Sequence, residues 1–153
     1  VELLWEDEHV VVGWRENTCM AKPISRAQLF ELGHVAVRFG TVRSMSFAER
    51  HLSALVPNLR IEITTPSFSS VARLVVGTQR IAVLQKRLAN AFITSLPIRA
   101  WPLPVEIPVL RMMVQYHSVR AGDPAIAWLI GQMQQVASAP YLSNPIMIED
   151  QNN

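Results

Sequence analysis

Apolar runs of strand type exchange along this chain with segments of helical period, and most junctions carry a cap or turn residue. His9–Trp14 (HVVVGW) is a β-branched strand run, and Ser25 to Gln28 then has the S-x-x-Q spacing of a capping box, ahead of a short helix that Gly33 can end. His34–Phe39 (HVAVRF) predicts the next strand. Ser46 to Glu49 (SFAE) is a second capping box, opening a helix with Phe47, Leu52, Leu55 and Val56 available for burial until Pro57 stops it. Leu59–Thr64 alternates apolar and polar. Pro66 and Ser67 open a helix to Val76 that Gly77 closes, strand Arg80–Leu84 follows, and a helix runs from about Lys86 to Pro97. Two extended pieces, Ile98–Leu103 and Val105–Tyr116, come next. Asp123 as N-cap and Pro124 as first residue start a last helix, with Ile126, Ile130, Met133 and Val136 along one face. From Pro140 onward the sequence predicts a loose tail.

Near-continuous apolar strands separated by helices predict an α/β class with a mostly parallel sheet covered on both faces. The prolines between Trp101 and Pro108 remove ladder donors, so this passage reads as a crossover or hinge and not as a central strand.

Composition agrees with a single globular domain: 153 residues, half of them hydrophobic and 17% charged. The net charge of +2 is too small to announce nucleic-acid binding. Its distribution is uneven, because residues 1–16 hold five acids while residues 26–120 hold twelve basic residues against four acids. That excess permits an anionic partner and equally describes a solvated basic face. The single cysteine, Cys19, closes no internal disulfide and suits a reducing, cytoplasmic compartment. The uncharged stretch from Pro124 to Ile148 is broken by glutamines, Asn144 and two prolines, so no membrane span is expected. Val1 stands inside an apolar pattern, which reads as part of a longer polypeptide.

The motifs of dinucleotide, P-loop, nucleophile-elbow and zincin chemistry are missing, and the four histidines lie far apart, so neither an enzyme nor a metal or cofactor site is expected. Two loops stand out at strand exits. Arg38-Phe39-Gly40-Thr41-Val42-Arg43-Ser44 offers two cations, a ring and two hydroxyls; Thr64-Thr65-Pro66-Ser67-Phe68-Ser69-Ser70 offers five hydroxyls around one Phe. Such loops hold ligands at the carboxyl ends of α/β strands, and a guanidinium beside a ring suits a planar aromatic anion. Ordinary capping, a surface Arg and a buried Phe account for the same residues.

Four blocks, GHVAVRFG (Gly33–Gly40), RIEITTPSF (Arg60–Phe68), GTQRIAVLQKRLA (Gly77–Ala89) and QYHSVRAGDPAIAWL (Gln115–Leu129), resemble in order the effector-binding domain of LysR-type transcriptional regulators. The D-P-x-x-x-W-L run after Tyr116 and His117, together with GHVAVRFG, is similar to the NodD-like and aromatic-responsive branch. The resemblance covers about Val1 to Ala137. It implies a two-lobed fold like that of periplasmic binding proteins, here a complete second lobe plus a partial first lobe. The implied division is a first crossover at 1–9, the second lobe at 10–101, a second crossover at 102–108, a return to the first lobe at 109–139 and a flexible tail at 140–153. It further implies a non-enzymatic sensor of a small aromatic effector, a flavonoid or an aromatic acid. DNA would be contacted only through a helix-turn-helix domain outside this sequence, and the full-length regulator would be a dimer or tetramer. Carried over by position, Trp14, Arg38, Phe39, Thr41, Arg43, Ser67, Phe68 and, more weakly, Gln85 would face the effector. A partial first lobe should expose the apolar faces of Val109–Tyr116 and of the last helix. A solute-binding protein of the same fold is the alternative.

Overall fold

The run HVVVG feeds two cores at once, because successive strand residues point to opposite faces. In the computed structural model, which describes residues 1–42 and 44–139, Val10 and Val12 pack on one side of a sheet, and Val11 packs on the other. The chain runs β1 (Glu2–Asp7), β2 (His9–Trp14), α1 (Arg26–Glu31), β3 (His34–Phe39), β4 (Ser44–Met45), α2 (Phe47–Leu55) and β5 (Ile61–Thr65). It continues with α3 (Phe68–Val75), β6 (Ile81–Gln85), α4 (Lys86–Ile93), β7 (Ile98–Pro102), β8 (Leu110–Val114) and α5 (Pro124–Ala137). The tail expected to be loose, 140–153, lies outside the described residues.

The larger sheet has the order β4-β3-β6-β2-β7, with β5 also on β3. Strands β3, β5 and β6 pair in parallel as expected, but β2 is antiparallel to both β6 and β7. The physical reason is its origin. Only Glu8 separates β2 from β1, so no helix returns the chain to the far end of the sheet, and β2 enters where its neighbours finish. Pro102 sits on the edge strand β7, where its missing donor costs no ladder bond on the outer side.

Val71 and Val75 of α3 and Ala89 of α4 cover one face of this sheet; Leu29 of α1, Leu52 of α2, Met20 and Trp101 build the core on the other. Capping chemistry sets the helix starts. Ser25 Oγ accepts from Gln28 N at 3.2 Å while Gln28 Oε1 accepts from Ser25 N at 3.0 Å, the complete box expected there. Ser46 Oγ likewise accepts from Glu49 N at 3.3 Å.

A second, two-stranded sheet pairs β1 with β8 antiparallel, and α5 packs on β1. The two sheets are joined by two stretches of chain, Glu8 and residues 103–109. Asp123 caps α5 through Ala125 N at 2.9 Å with Pro124 in its first turn. Its inward stripe is Ile126, Ile130, Met133 and Ala137, whereas Val136, expected on that face, is 57% exposed. Positions i, i+4, i+7 and i+11 follow the 3.6-residue period better than i+10 does. Met112, Met113, Trp128 and Leu129 are exposed, on the strand and helix faces where exposure was expected.

Candidate functional site

Parallel strands bring their exits to one end of a sheet, and here β3, β5 and β6 finish together with the start of β2, where His9 lies opposite Gln85. The two loops singled out in the sequence therefore meet. Phe39 from the first and Phe68 from the second place their ring centroids 5.6 Å apart at a 59° tilt. Gly40 turns the first loop at φ +67°, a conformation that side chains resist, and Thr41 beside it is exposed. Arg43 lies outside the described residues.

Arg38 is paired within the chain. Its Nε donates to Glu49 Oε1 and Oε2 at 3.1 and 3.3 Å, and its Nη2 donates to Oε1 at 2.5 Å. Glu49 was expected to complete the capping box of α2. Instead its carboxylate is buried against Arg38, whose own pKa is raised by that hydrogen bond. The expected ligand cation is thus paired with a carboxylate of its own chain.

Ser67 departs from expectation in another way: it makes no side-chain cap bond, and its Oγ lies 2.7 Å from Ser69 Oγ. Trp14 does not belong to this end at all. It pairs with Ile98 at the finish of β2, five residues beyond His9 and so about 16 Å along the strand. The period of two identifies a strand without giving its direction, and the antiparallel run of β2 carries Trp14 away.

From Phe68 the site continues into a groove of about 680 Å³ between α3–α4 and the β1–β8–α5 unit. Leu4 and Trp5 of β1, Leu88 of α4 and Met133 of α5 form much of its wall, and Gln85 lines it as well. The Oε1 of Gln85 is buried without a hydrogen-bond partner. The neighbouring charges, by contrast, are engaged. Arg87 lies over the Trp5 ring at 5.2 Å and donates to the carbonyl of Ala137, tying α4 to both β1 and the end of α5. Asp7 accepts from Arg87 N at 3.4 Å; burial raises its pKa above the ordinary value, against the lowering effect of Arg87. An apolar wall with one unengaged acceptor suits a flat molecule carrying a hydrogen-bond donor. The loop reading of the sequence missed Trp5, Arg87, Leu88 and Met133; Arg87, two residues after strand-end Gln85, was the available signal.

Elsewhere, His9 is buried and stacked on Phe47 at 5.6 Å and 9°, and burial, with a smaller effect of His51, lowers its pKa to about 4. His34 is buried, with Nε2 2.6 Å from Leu29 O, and its pKa is also lowered by burial. Among the described residues no three His, Cys, Asp or Glu side chains gather as a metal site, and no helix is long and apolar enough to cross a membrane.

The family model described as the LysR substrate binding domain matches residues 1–138. Nodulation protein D 2 of Rhizobium tropici is 36% identical over 135 residues, covering 88% of this chain and 43% of that protein. Nodulation protein D 1 of the same organism is 34% identical over 135 residues, with 88% and 44% covered. Among solved structures, the regulatory domain of MexT, a transcriptional activator in Pseudomonas aeruginosa, superposes with a TM-score of 0.70 at 18% identity, covering 88% of this chain and 65% of that one. The regulatory domain of MetR, a LysR family regulator from N. meningitidis, gives 0.65 at 12% identity, with 91% and 67% covered. The fold is the expected α/β, periplasmic-binding-protein-like one. This chain spans less than half the length of the curated relatives it matches.

Proposed function

Since the chain belongs to the LysR substrate-binding domain family, we propose that its groove senses a neutral, hydroxylated aromatic molecule of the flavonoid kind on behalf of a transcriptional regulator. One observation carries this reading: a groove of about 680 Å³ with largely apolar walls, in which Gln85 Oε1 is buried and unpartnered. A phenolic hydroxyl would satisfy that oxygen, while the flat rings would lie against Phe68, Leu88 and Met133. Among the described residues Arg38 and Arg87 are both engaged, which favours a neutral ligand over an aromatic carboxylate. Similarity to nodulation proteins D points the same way and leaves the solute-binding alternative without support.

Phe39, Thr41, Ser67, Phe68 and Gln85 then form the second-lobe wall, with Arg38 holding its strand exit through Glu49. The crossovers are 1–9 and 102–108, and residues 109–139 return to the first lobe. A ligand in this groove touches both units, so it regulates by favouring one arrangement of them over another. In the whole regulator, which acts in the cytoplasm, that preference would reach DNA through the helix-turn-helix domain and the dimer or tetramer.

The test is thermal unfolding of the chain with a hydroxyflavone, salicylate and a short aliphatic acid. A ligand at a hundred times its dissociation constant adds about 2.7 kcal/mol. A raised midpoint with the hydroxyflavone alone supports the reading. A shift with salicylate and none with the hydroxyflavone refutes it.

A further inference from the structure

We propose that Asp7 and Arg87 form a reciprocal strap that fixes the angle between the two units: each completes a helix end belonging to the other, and together they keep the groove assembled before anything occupies it. The units are joined by two stretches of chain, Glu8 and residues 103–109, and the groove of about 680 Å³ runs between them. Whatever fixes their angle has to reach across that gap.

Both helix ends are unfinished within their own unit. Helix α4 starts behind Gln85, whose side chain makes no cap bond, and its first turn carries no acid. Its second amide, Arg87 N, donates instead to Asp7 Oδ1 at 3.4 Å, and Asp7 is the last residue of β1 in the other unit. Helix α5 has the opposite defect. Its last turn holds no basic residue, although its terminal carbonyls carry the negative end of the helix dipole. The Arg87 guanidinium supplies that cation, with Nη2 donating to the carbonyl of Ala137, the final residue of α5. The same guanidinium lies over the Trp5 ring of β1, 5.2 Å from its centroid.

One residue of α4 thus grips β1 and α5 at three points, through its amide, its charge and its flat face. Asp7 is 7% exposed and Ala137 5%, so water has little access to replace either contact. The planar fork matters, because it stacks on a ring and donates along its edge at once, which an ammonium cannot do. A groove held at one width before binding asks no rearrangement of a ligand that fits it. A ligand that needs the units further apart must break the strap first. The inference does not depend on which molecule the groove takes.

The test is double electron–electron resonance on the 153-residue chain without ligand. Spin labels are carried by Gln135→Cys on α5 and Arg50→Cys on α2, both exposed, in a Cys19→Ser background. The expected result is one narrow distance in that parent. Arg87→Leu should add a second distance, raising the ratio of displaced to native spacing at least about tenfold. Arg87→Lys keeps the charge without the fork and should give the same second distance in smaller proportion. Asp7→Asn retains a carbonyl acceptor and should leave the distance as it is, whereas Asp7→Ala should broaden it and speed amide exchange at Arg87 about tenfold. Where Arg87→Leu does not fold, Arg87→Lys and the two Asp7 variants carry the test. A single unchanged distance in the Arg87 variants, or equal effects of Asp7→Asn and Asp7→Ala, would overturn the proposal. No ligand is present, so failure here and failure of the groove reading are told apart.

Discussion

Replacing Arg38 by Ala should cost the chain about 3 kcal/mol, and the reason is Glu49. The carboxylate side chain is 3% exposed and the guanidinium 27%, with three N–H···O contacts between 2.5 and 3.3 Å. At a charge separation of about 4 Å and an effective dielectric near 20, the attraction is about 4 kcal/mol. Removing one partner of a fully buried pair costs about 3–5 kcal/mol because the other charge stays buried alone. The partial exposure of Arg38 lets water reach the vacated space, which sets the expectation at the lower end. Glu49→Gln should cost less, about 1–2 kcal/mol, because a half-exposed guanidinium can turn to solvent. The assay is urea unfolding of both single variants and the double variant. A coupling energy of about 2 kcal/mol is expected from the cycle. Strict additivity, with Arg38→Ala costing under 1 kcal/mol, would refute the claim that Arg38 serves Glu49. The same result would return the guanidinium to the list of candidate ligand contacts.

Other expectations follow from single side chains. Ser67→Ala should cost under about 0.5 kcal/mol in thermal unfolding, since Ser67 makes no cap bond, whereas Ser46→Ala should cost about 1 kcal/mol by releasing Glu49 N. His9 has a folded-state pKa near 4 against 6.5 unfolded, so the unfolded chain binds the extra proton. Its contribution is therefore fully present above pH 6.5 and is lost as the pH falls towards 4, by roughly 1–2 kcal/mol after solvent screening. Stability measured across that window should fall less steeply in His9→Phe. Calorimetric titration with a hydroxyflavone should show at least about a tenfold weaker affinity for Phe68→Ala, from lost aromatic burial, and an unchanged affinity for Trp14→Ala, which alters the far end of β2.

Local chemistry was legible in the sequence where it acts over a few residues. The box at Ser25, the caps at Ser46 and Asp123, and strands HVVVGW and HVAVRF all follow from period and spacing, and they appear at those positions. The meeting of Phe39 with Phe68 was also readable, because parallel strands with intervening helices must gather their exits at one end. Direction and tertiary partners were not. Nothing in the alternation of β2 says that it runs against β6, and that single fact places Trp14 at the far end of the sheet from Phe39 and Phe68. Glu49 matches the capping-box spacing in the sequence, but its carboxylate answers a stronger demand eleven residues back at Arg38. The groove escaped for a related reason: Trp5, Leu88 and Met133 come from three distant segments, and only packing of α5 and β1 against α4 assembles them.

The most direct test of the sensing claim is a crystal structure of the chain soaked with a hydroxyflavone. Ring density against Phe68 and Leu88, with a hydroxyl within hydrogen-bond distance of Gln85 Oε1, is the predicted result. Ordered ligand at the Trp14 end of the sheet, or a groove that stays empty at saturating ligand, would contradict it.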